Sequence, residues 1–251
     1  MTEKKRRPKI VLVDGSNYLF RAFYAIRDLS NSKGFPTNAI YGFTTMLMKL
    51  LRDQEPDYIA VAFDVKGPTF RHDAFEGYKA TRQATPDALI TQIPHVKEIV
   101  RSFSIPVLER QGIEADDIIG TIACRQAQTG MEVVIVSGDK DMMQLVSPDI
   151  LMIDTMKDKA YDPAAVKERF GVGPEKVVEI IGLMGDASDN IPGVPGIGPK
   201  GALRLIEQFG SIDAILAHPE QIHNEKIRNA VRQYADQAKL FLPVENIDLL
   251  S

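Results

Sequence analysis

The chain has 251 residues, 44% of them apolar, a formal net charge of −4 and a single cysteine, Cys124. That length supports one large domain or a domain with a small accessory, and the apolar share is enough for a packed core. The absence of an apolar run of eighteen residues excludes a membrane-spanning helix, and the lone cysteine excludes a disulfide framework and fits a reducing, cytoplasmic setting.

The basic start, Lys4 to Arg7, leads into an apolar run that meets Asp14 at once, unlike a signal peptide. Ile10 to Val13 predicts a short buried strand ending at Asp14, followed by Gly15-Ser16-Asn17 and a helix from Tyr18 to Ile26 that carries Arg21. Asn31 to Pro36 is a turn-rich loop, Ala39 to Arg52 has helical apolar spacing, and Tyr58 to Phe63 is a second buried strand, ending at Asp64. Both strands deliver an aspartate at the carboxyl edge of a sheet, where open α/β sheets bind ligands. Lys66 to Pro86 is long, charged and aromatic. A helix from Asp87 to Phe103, a strand Pro106–Leu108, a helix from Glu114 to about Thr129 and a strand Val133–Val136 follow. That strand runs into Ser137-Gly138-Asp139-Lys140-Asp141, a helical turn from Met142 to Leu145, and a strand Ile150–Ile153. The alternation predicts an α/β fold with a mostly parallel sheet flanked by helices. From Asp162 the strands stop; Pro163–Phe170, Glu175–Met184, Gly198–Phe209, Ile212–Leu216 and Asn224–Leu240 read helical. The expected division is an α/β domain over 1–160 and a helical part over 161–251, with no Gly/Ser-rich linker between them.

Glu114-Ala115-Asp116-Asp117 stands out. Acids at a helix start complement its macrodipole, which is the plain structural reading. Their company argues for more: Asp14, Asp64, Asp139, Asp141, Asp186 and Asp189 also follow strands or punctuate turns, and we expect all nine acids in one pocket. Extended chain puts Asp139 and Asp141 on one face, and a helical turn does the same for Asp186 and Asp189. Two like charges about 4 Å apart repel by roughly 4 kcal/mol at an effective dielectric near 20, so such a pocket must protonate or bind cations. All-oxygen ligands select Mg²⁺ or Mn²⁺. Zinc is disfavoured because His72, His95, His218, His223 and Cys124 lack finger-like spacing; His218 and His223 read as solvated loop residues. Outside such a pocket the remaining surface would be mildly basic, which suits a polyphosphate substrate. Two-metal hydrolysis of phosphodiesters needs no Ser or Cys nucleophile. The rival aspartyl-phosphate chemistry wants a second Asp two residues beyond Asp14, where Ser16 stands.

Gly185 to Lys200 contains Gly193, Gly196 and Gly198, which permit tight turns, and Pro195 and Pro199, which fix φ. A helix starting near Pro199 would offer free N–H groups to a phosphate. The run resembles a helix–hairpin–helix, a DNA-backbone clamp whose loop carbonyls often hold a K⁺ ion. In Arg71 to Arg82, the cations Arg71, Lys79 and Arg82 interleave with Phe75 and Tyr78, the composition of a single-strand path as well as of a solvated helix.

Assembled, these motifs resemble the 5′-nuclease domain of bacterial DNA polymerase I, within the flap endonuclease family, from about Ile10 to at least Phe209. The motifs are Val13-Asp14-Gly15-Ser16, Phe63-Asp64, Glu114 to Asp117, Gly138 to Asp141 and Met184 to Lys200. The resemblance implies a PIN-like fold and cleavage of 5′ flaps and nicks in primer removal and repair, with two or more Mg²⁺. It implies metal ligation by Asp14, Asp64, Glu114, Asp116, Asp117, Asp139, Asp141, Asp186 and Asp189. It places an arch at roughly 66–94, with Lys79 and Arg82 on the scissile phosphate, Tyr78 stacked on a base, Arg21 and Arg71 on nearby phosphates, and Lys200 in the hairpin clamp. Gln83-Ala84-Thr85-Pro86 and the end from Phe241 to Glu245 depart from the family pattern. The expected partner is branched or flapped DNA, bound by a monomer that is either free-standing or fused to a polymerase, in a bacterial cytoplasm at the nucleoid. Two other readings are an inactive DNA-junction binder, disfavoured by the intact acids, and a PIN-type ribonuclease, disfavoured by the hairpin.

Overall fold

A computed structural model describes residues 6–250. Lys4 and Lys5 of the basic start lie outside the described residues. Six strands form one sheet: β1 (Lys9–Asp14), β2 (Tyr58–Ala62), β3 (Val107–Leu108), β4 (Glu132–Val136), β5 (Ile150–Asp154) and β6 (Lys159–Tyr161). Their order is β3-β2-β1-β4-β5-β6, parallel throughout except for β6, which pairs antiparallel with β5. The first five strands match the expected apolar runs. The sixth, Lys-Ala-Tyr, is too short and too polar to give a strand signal, and it exists because a hairpin pairs Met152 with Tyr161.

Period-two alternation divides the core between the two sheet faces. Val11, Val13, Val61, Val134 and Val136 point to one face, where they meet Tyr18, Phe43 and Leu89. Leu12, Ala60, Ala62, Val133 and Ile135 point to the other, where they meet Ile119, Met142, Val177 and Ile181. Helix α1 (Gly15–Ala25) starts directly at the end of β1. Gly15 makes that possible, since a Cβ there would lie 2.7 Å from Val61 Cγ1 and 2.8 Å from the Ala62 carbonyl.

Helix α2 (Asn38–Gln54) receives no side-chain cap from Thr37. Its first amides donate instead to Gln92, whose Oε1 accepts from Ala39 N at 2.9 Å and Ile40 N at 3.1 Å. This contact corrects one expectation. The helix foreseen from Asp87 to Phe103 is two helices, α4 (Asp87–Ile90) and α5 (Ile93–Ser102), with buried Gln92 at the joint; α3 (Phe70–Ala74) precedes them.

Helix α6 (Ala115–Gln128) precedes β4; past β6 the chain continues as α7 (Pro163–Phe170), α8 (Val177–Met184), α9 (Pro199–Phe209), α10 (Ile212–Ala217), α11 (Glu225–Gln233) and α12 (Ala235–Glu245). The single helix expected from Asn224 to Leu240 breaks at Tyr234. Val166, Val177 and Ile181 share a core with the sheet, so the helical part is packed onto it. The last segment returns across α6: a Cβ at Gly120 would lie 2.5 Å from Ile247 Cγ2, so this helix glycine gives Ile247 its seat.

Candidate active site

The carboxyl edge of the sheet carries the first group of acids. Asp14 caps α1, accepting from Asn17 N at 2.9 Å, and its other oxygen accepts from Ser137 Oγ at 2.8 Å. Ser137 Oγ in turn accepts from Asp139 N, and Asp139 Oδ1 from Asp141 N at 3.1 Å. The segment after β4 is therefore a tight turn running into a 3-10 turn at Asp141–Leu145, not the extended stretch foreseen for Asp139 and Asp141. Asp64 caps α6, accepting from Ala115 N at 2.9 Å, while its own amide donates to Ser16 Oγ. Ser16, which argued against aspartyl-phosphate chemistry, thus joins the ends of β1 and β2.

The segment between β2 and α4 brings cations to a further set of acids, Glu114, Asp117 and Asp189. Glu114 accepts from Thr69 Oγ1 at 3.2 Å, Tyr78 Oη at 3.0 Å and Lys79 Nζ at 2.8 Å. Arg82 pairs with Asp189, and the Lys79 amide donates to the Asp189 carbonyl at 3.0 Å. Asn190 Nδ2 donates to the Gly77 carbonyl at 2.8 Å, and Lys140 pairs with Asp186 at 2.9 Å. Asp186 and Asp189 come from the turn after α8, so the helical part closes the site opposite the sheet edge.

Of the acids at this site, Asp14, Asp64, Asp116 and Asp139 form none of the ion pairs that hold Glu114, Asp117, Asp186 and Asp189. Burial pushes the Asp14 carboxyl up to about 7, with the Asp64 and Asp139 charges adding to the rise. Burial raises Asp116 well above the ordinary range, helped by Glu114 and Asp117, and raises Asp139, helped by Asp189 and Asp186. Lys79, bonded through its side chain to Glu114 and through its amide to Asp189, opposes the rise at both Asp116 and Asp139. As the side chains stand, no three His, Cys, Asp or Glu groups among the described residues converge closely enough to hold one ion. Where nine open acids were expected, Arg71, Lys79, Arg82 and Lys140 are paired with Glu114, Asp117, Asp186 and Asp189. The donor set is all oxygen, and Asp14, Asp116 and Asp139 are buried where their charged forms are disfavoured on balance, so it fits a hard divalent ion.

Two family models together match the chain over nearly its whole length. Residues 9–171 match the 5′-3′ exonuclease N-terminal resolvase-like domain, and residues 172–249 the 5′-3′ exonuclease C-terminal SAM fold. The chain belongs to the 5′-3′ exonuclease family. It is 48% identical over 93% of its length to DNA polymerase I of Bacillus caldotenax, of which it spans 27%. It is 43% identical over 86% of its length to the 5′-3′ exonuclease of Aquifex aeolicus, of which it spans 75%. Among solved structures, the bacteriophage T5 flap endonuclease in a pseudo-enzyme–product complex with DNA and metal ions shares the fold, with a TM-score of 0.81 at 20% identity, covering 96% of this chain and 89% of that one.

In this member of the 5′-3′ exonuclease family, three residues sit differently from expectation. Arg71 is turned inward at 2% exposure, with Nη1 and Nη2 on Asp117, Nε on the Val244 carbonyl and Nη2 also on the Asn246 carbonyl. Four of its five N–H donors are used and Nη1 lies 3.6 Å from Glu114, so the buried guanidinium presents nothing to a DNA phosphate. Its partner Asp117 is 1% exposed and also accepts from Asp248 N at 2.8 Å, so it is a structural anion and not an open metal ligand. Tyr78 is 3% exposed, packed with Ile191 and Val244, and offers no ring face to a base in this conformation.

The remaining basic candidates lie where a substrate could reach them. Lys79 is half-buried and Arg82 exposed. Arg21 forms a two-pronged pair with Asp154 and keeps 24% exposure. In the hairpin, Gly193 is buried with φ +63° and Gly196 exposed with φ +84°, while Gly198, Pro199 and Lys200 are exposed at the bare N-terminus of α9. His218 and His223 are exposed, as expected. Sequence reasoning missed Asp154, whose signal was the one that found Asp14 and Asp64: an acid closing a buried strand.

Proposed function

We propose that this chain is a structure-specific 5′ nuclease that hydrolyses DNA phosphodiesters at 5′ flaps and nicks with divalent metal ions. The observation that carries the reading is the juxtaposition of buried Asp14, Asp116 and Asp139 with the cations that segment 66–86 brings to Glu114, Asp117 and Asp189. Asp14, Asp64, Glu114, Asp116, Asp139, Asp141, Asp186 and Asp189 would hold the ions, Mg²⁺ or Mn²⁺ by their hard oxygen donors. Bound there, divalent ions supply the charge that activates a water and neutralises the leaving oxygen.

The chain's own groups do the rest. Lys79, half-buried between Glu114 and the Asp189 backbone, is placed to meet the scissile phosphate, and Arg82 to meet its neighbour. Arg21 stands at the opposite side, beside Gly138. The exposed start of α9 offers backbone N–H groups to the duplex backbone, and Lys200 adds a charge there. A K⁺ ion in the hairpin loop belongs to the same reading. So does the division into a nuclease domain over 1–160 and a helical part over 161–251 that supplies Asp186 and Asp189. The B. caldotenax relative is much longer, and fusion to a polymerase, primer removal and a monomeric state at the bacterial nucleoid belong to the proposal.

The test is a double-flap DNA labelled at its 5′ end, incubated with Mg²⁺ or EDTA. A short 5′ product formed only with Mg²⁺ supports the reading. Binding without product in both arms would favour a junction-binding module, and preferential cutting of RNA duplexes a ribonuclease.

A further inference from the structure

Asp154 closes β5 at 1% exposure and has no part in the metal set. The register Val136↔Ile153, with Ser137 N donating to the Ile153 carbonyl at 3.2 Å, puts it level with the Ser137–Asp139 turn on the neighbouring strand. It accepts from both terminal nitrogens of Arg21, from Met156 N at 3.2 Å and Lys157 N at 3.3 Å, and pairs with Lys157 Nζ at 3.2 Å. A carboxylate so surrounded has one orientation, and it imposes one on the guanidinium.

The other side of Arg21 is set by Gly138. A Cβ on Gly138 would lie 1.5 Å from Arg21 Nη2, so the guanidinium occupies the space of the missing side chain. Gly138 is not among the residues with positive φ, so room for Arg21, not backbone freedom, is what demands glycine here. The Gly138 amide is itself fixed by Asn17 Oδ1 at 3.2 Å. Arg21 is thus clamped between Asp154 and the turn that carries Asp139. The two hydrogen bonds to Asp154 use two of its five N–H groups, and those left are what an anion would meet.

We infer that Asp154 is a positioning residue for Arg21, holding its guanidinium over Gly138 so that its free donors face a phosphate at the acidic site. The inference rests on the nuclease reading and deepens it. The pair could instead serve only to anchor β5, so the test must separate positioning from stability.

The full chain and its Asp154→Asn, Arg21→Ala and double variants would be compared in single-turnover flap cleavage with Mg²⁺ and in flap binding with Ca²⁺. Positioning predicts that Asp154→Asn slows cleavage by about tenfold or more with flap affinity little changed, and that the double variant is no slower than Arg21→Ala. Added methylguanidine should partly restore Arg21→Ala and fail to restore the double variant, since the loose cation then has no seat. Gly138→Ala, which crowds the guanidinium without touching Asp154, should reproduce the slow cleavage and keeps the test available if Asp154→Asn folds poorly. Parental rates in Asp154→Asn or Gly138→Ala, multiplying effects in the double variant, or equal rescue in both backgrounds would overturn the inference. A readout independent of cleavage is the Arg21 guanidinium resonances in the DNA-free protein: restricted rotation in the parent, averaged in Asp154→Asn. Averaging in both overturns the inference whether or not the parent cuts DNA, whereas a parent that leaves the flap intact defeats only the nuclease reading.

Discussion

Arg71 and Asp117 meet through paired hydrogen bonds of 2.8 and 2.7 Å, and neither side chain is more than 2% exposed. Through them three distant pieces of chain are joined: α3, the start of α6, and the segment 244–248 near the C-terminal end. Removing one partner leaves the other charged and buried. Arg71→Ala or Asp117→Ala should therefore cost about 3–5 kcal/mol, measured by urea unfolding of the full chain. A cost below about 1 kcal/mol would show that the pair is open to solvent after all.

Stability without metal should depend on pH through Asp14. Its folded value of about 7 lies above the ordinary carboxylate value of about 3.9, so between the two the folded state binds the extra proton. The contribution is fully present below the ordinary value and is lost as pH rises through about 7. Thermal melts in EDTA should therefore show falling stability from about pH 5 to pH 8, less steep in Asp14→Asn, with Mg²⁺ lifting the curve most at the alkaline end. A profile in EDTA that is flat and identical in the variant would refute the burial of this carboxyl.

Lys79 pairs with buried Glu114, and Arg71 Nη1 at 3.6 Å remains beside that carboxylate if Lys79 is removed. Lys79→Ala should slow single-turnover flap cleavage by about a hundredfold, the scale of a lost charged transition-state contact. Its unfolding free energy should fall by less than that of Arg71→Ala, because Arg71 still faces Glu114. An unchanged cleavage rate would remove Lys79 from the reaction.

Gly193 and Gly185 hold two passes of backbone together. A Cβ on Gly193 would lie 2.4 Å from the Gly185 amide nitrogen, and its φ of +63° already disfavours a side chain. Gly193→Ala should cost about 2 kcal/mol or more from the left-handed backbone and the clash together. Because this turn positions Asp186 and Asp189, cleavage should fall with it. Gly210→Ala, at a helix end with open space around it, should cost only about 1 kcal/mol and leave cleavage intact.

The strands that end in Asp14 and Asp64 were legible because a buried run closed by an acid is a local pattern. The break at Gln92 was not, because the groups it serves, at Ala39 and Ile40, lie 53 and 52 residues away. Arg71 was misjudged for a related reason. Arginine is exposed by default, and only the fold brings Asp117, Val244 and Asn246 around it. The ion pairs that several of the acids make were not foreseen. Repulsion among carboxylates pointed to metal, and the chain relieves part of it with its own lysines and arginines.

That self-compensation ties two events together. The amines that quiet Glu114 and Asp189 are the ones a nucleic-acid backbone would attract, so a strand drawing Lys79 and Arg82 toward itself strips those carboxylates of their counter-charge. By reciprocity, under the proposed function each occupant would favour the other's arrival: DNA would sharpen the appetite of the acids for divalent ions, and ions would release the basic side chains for DNA.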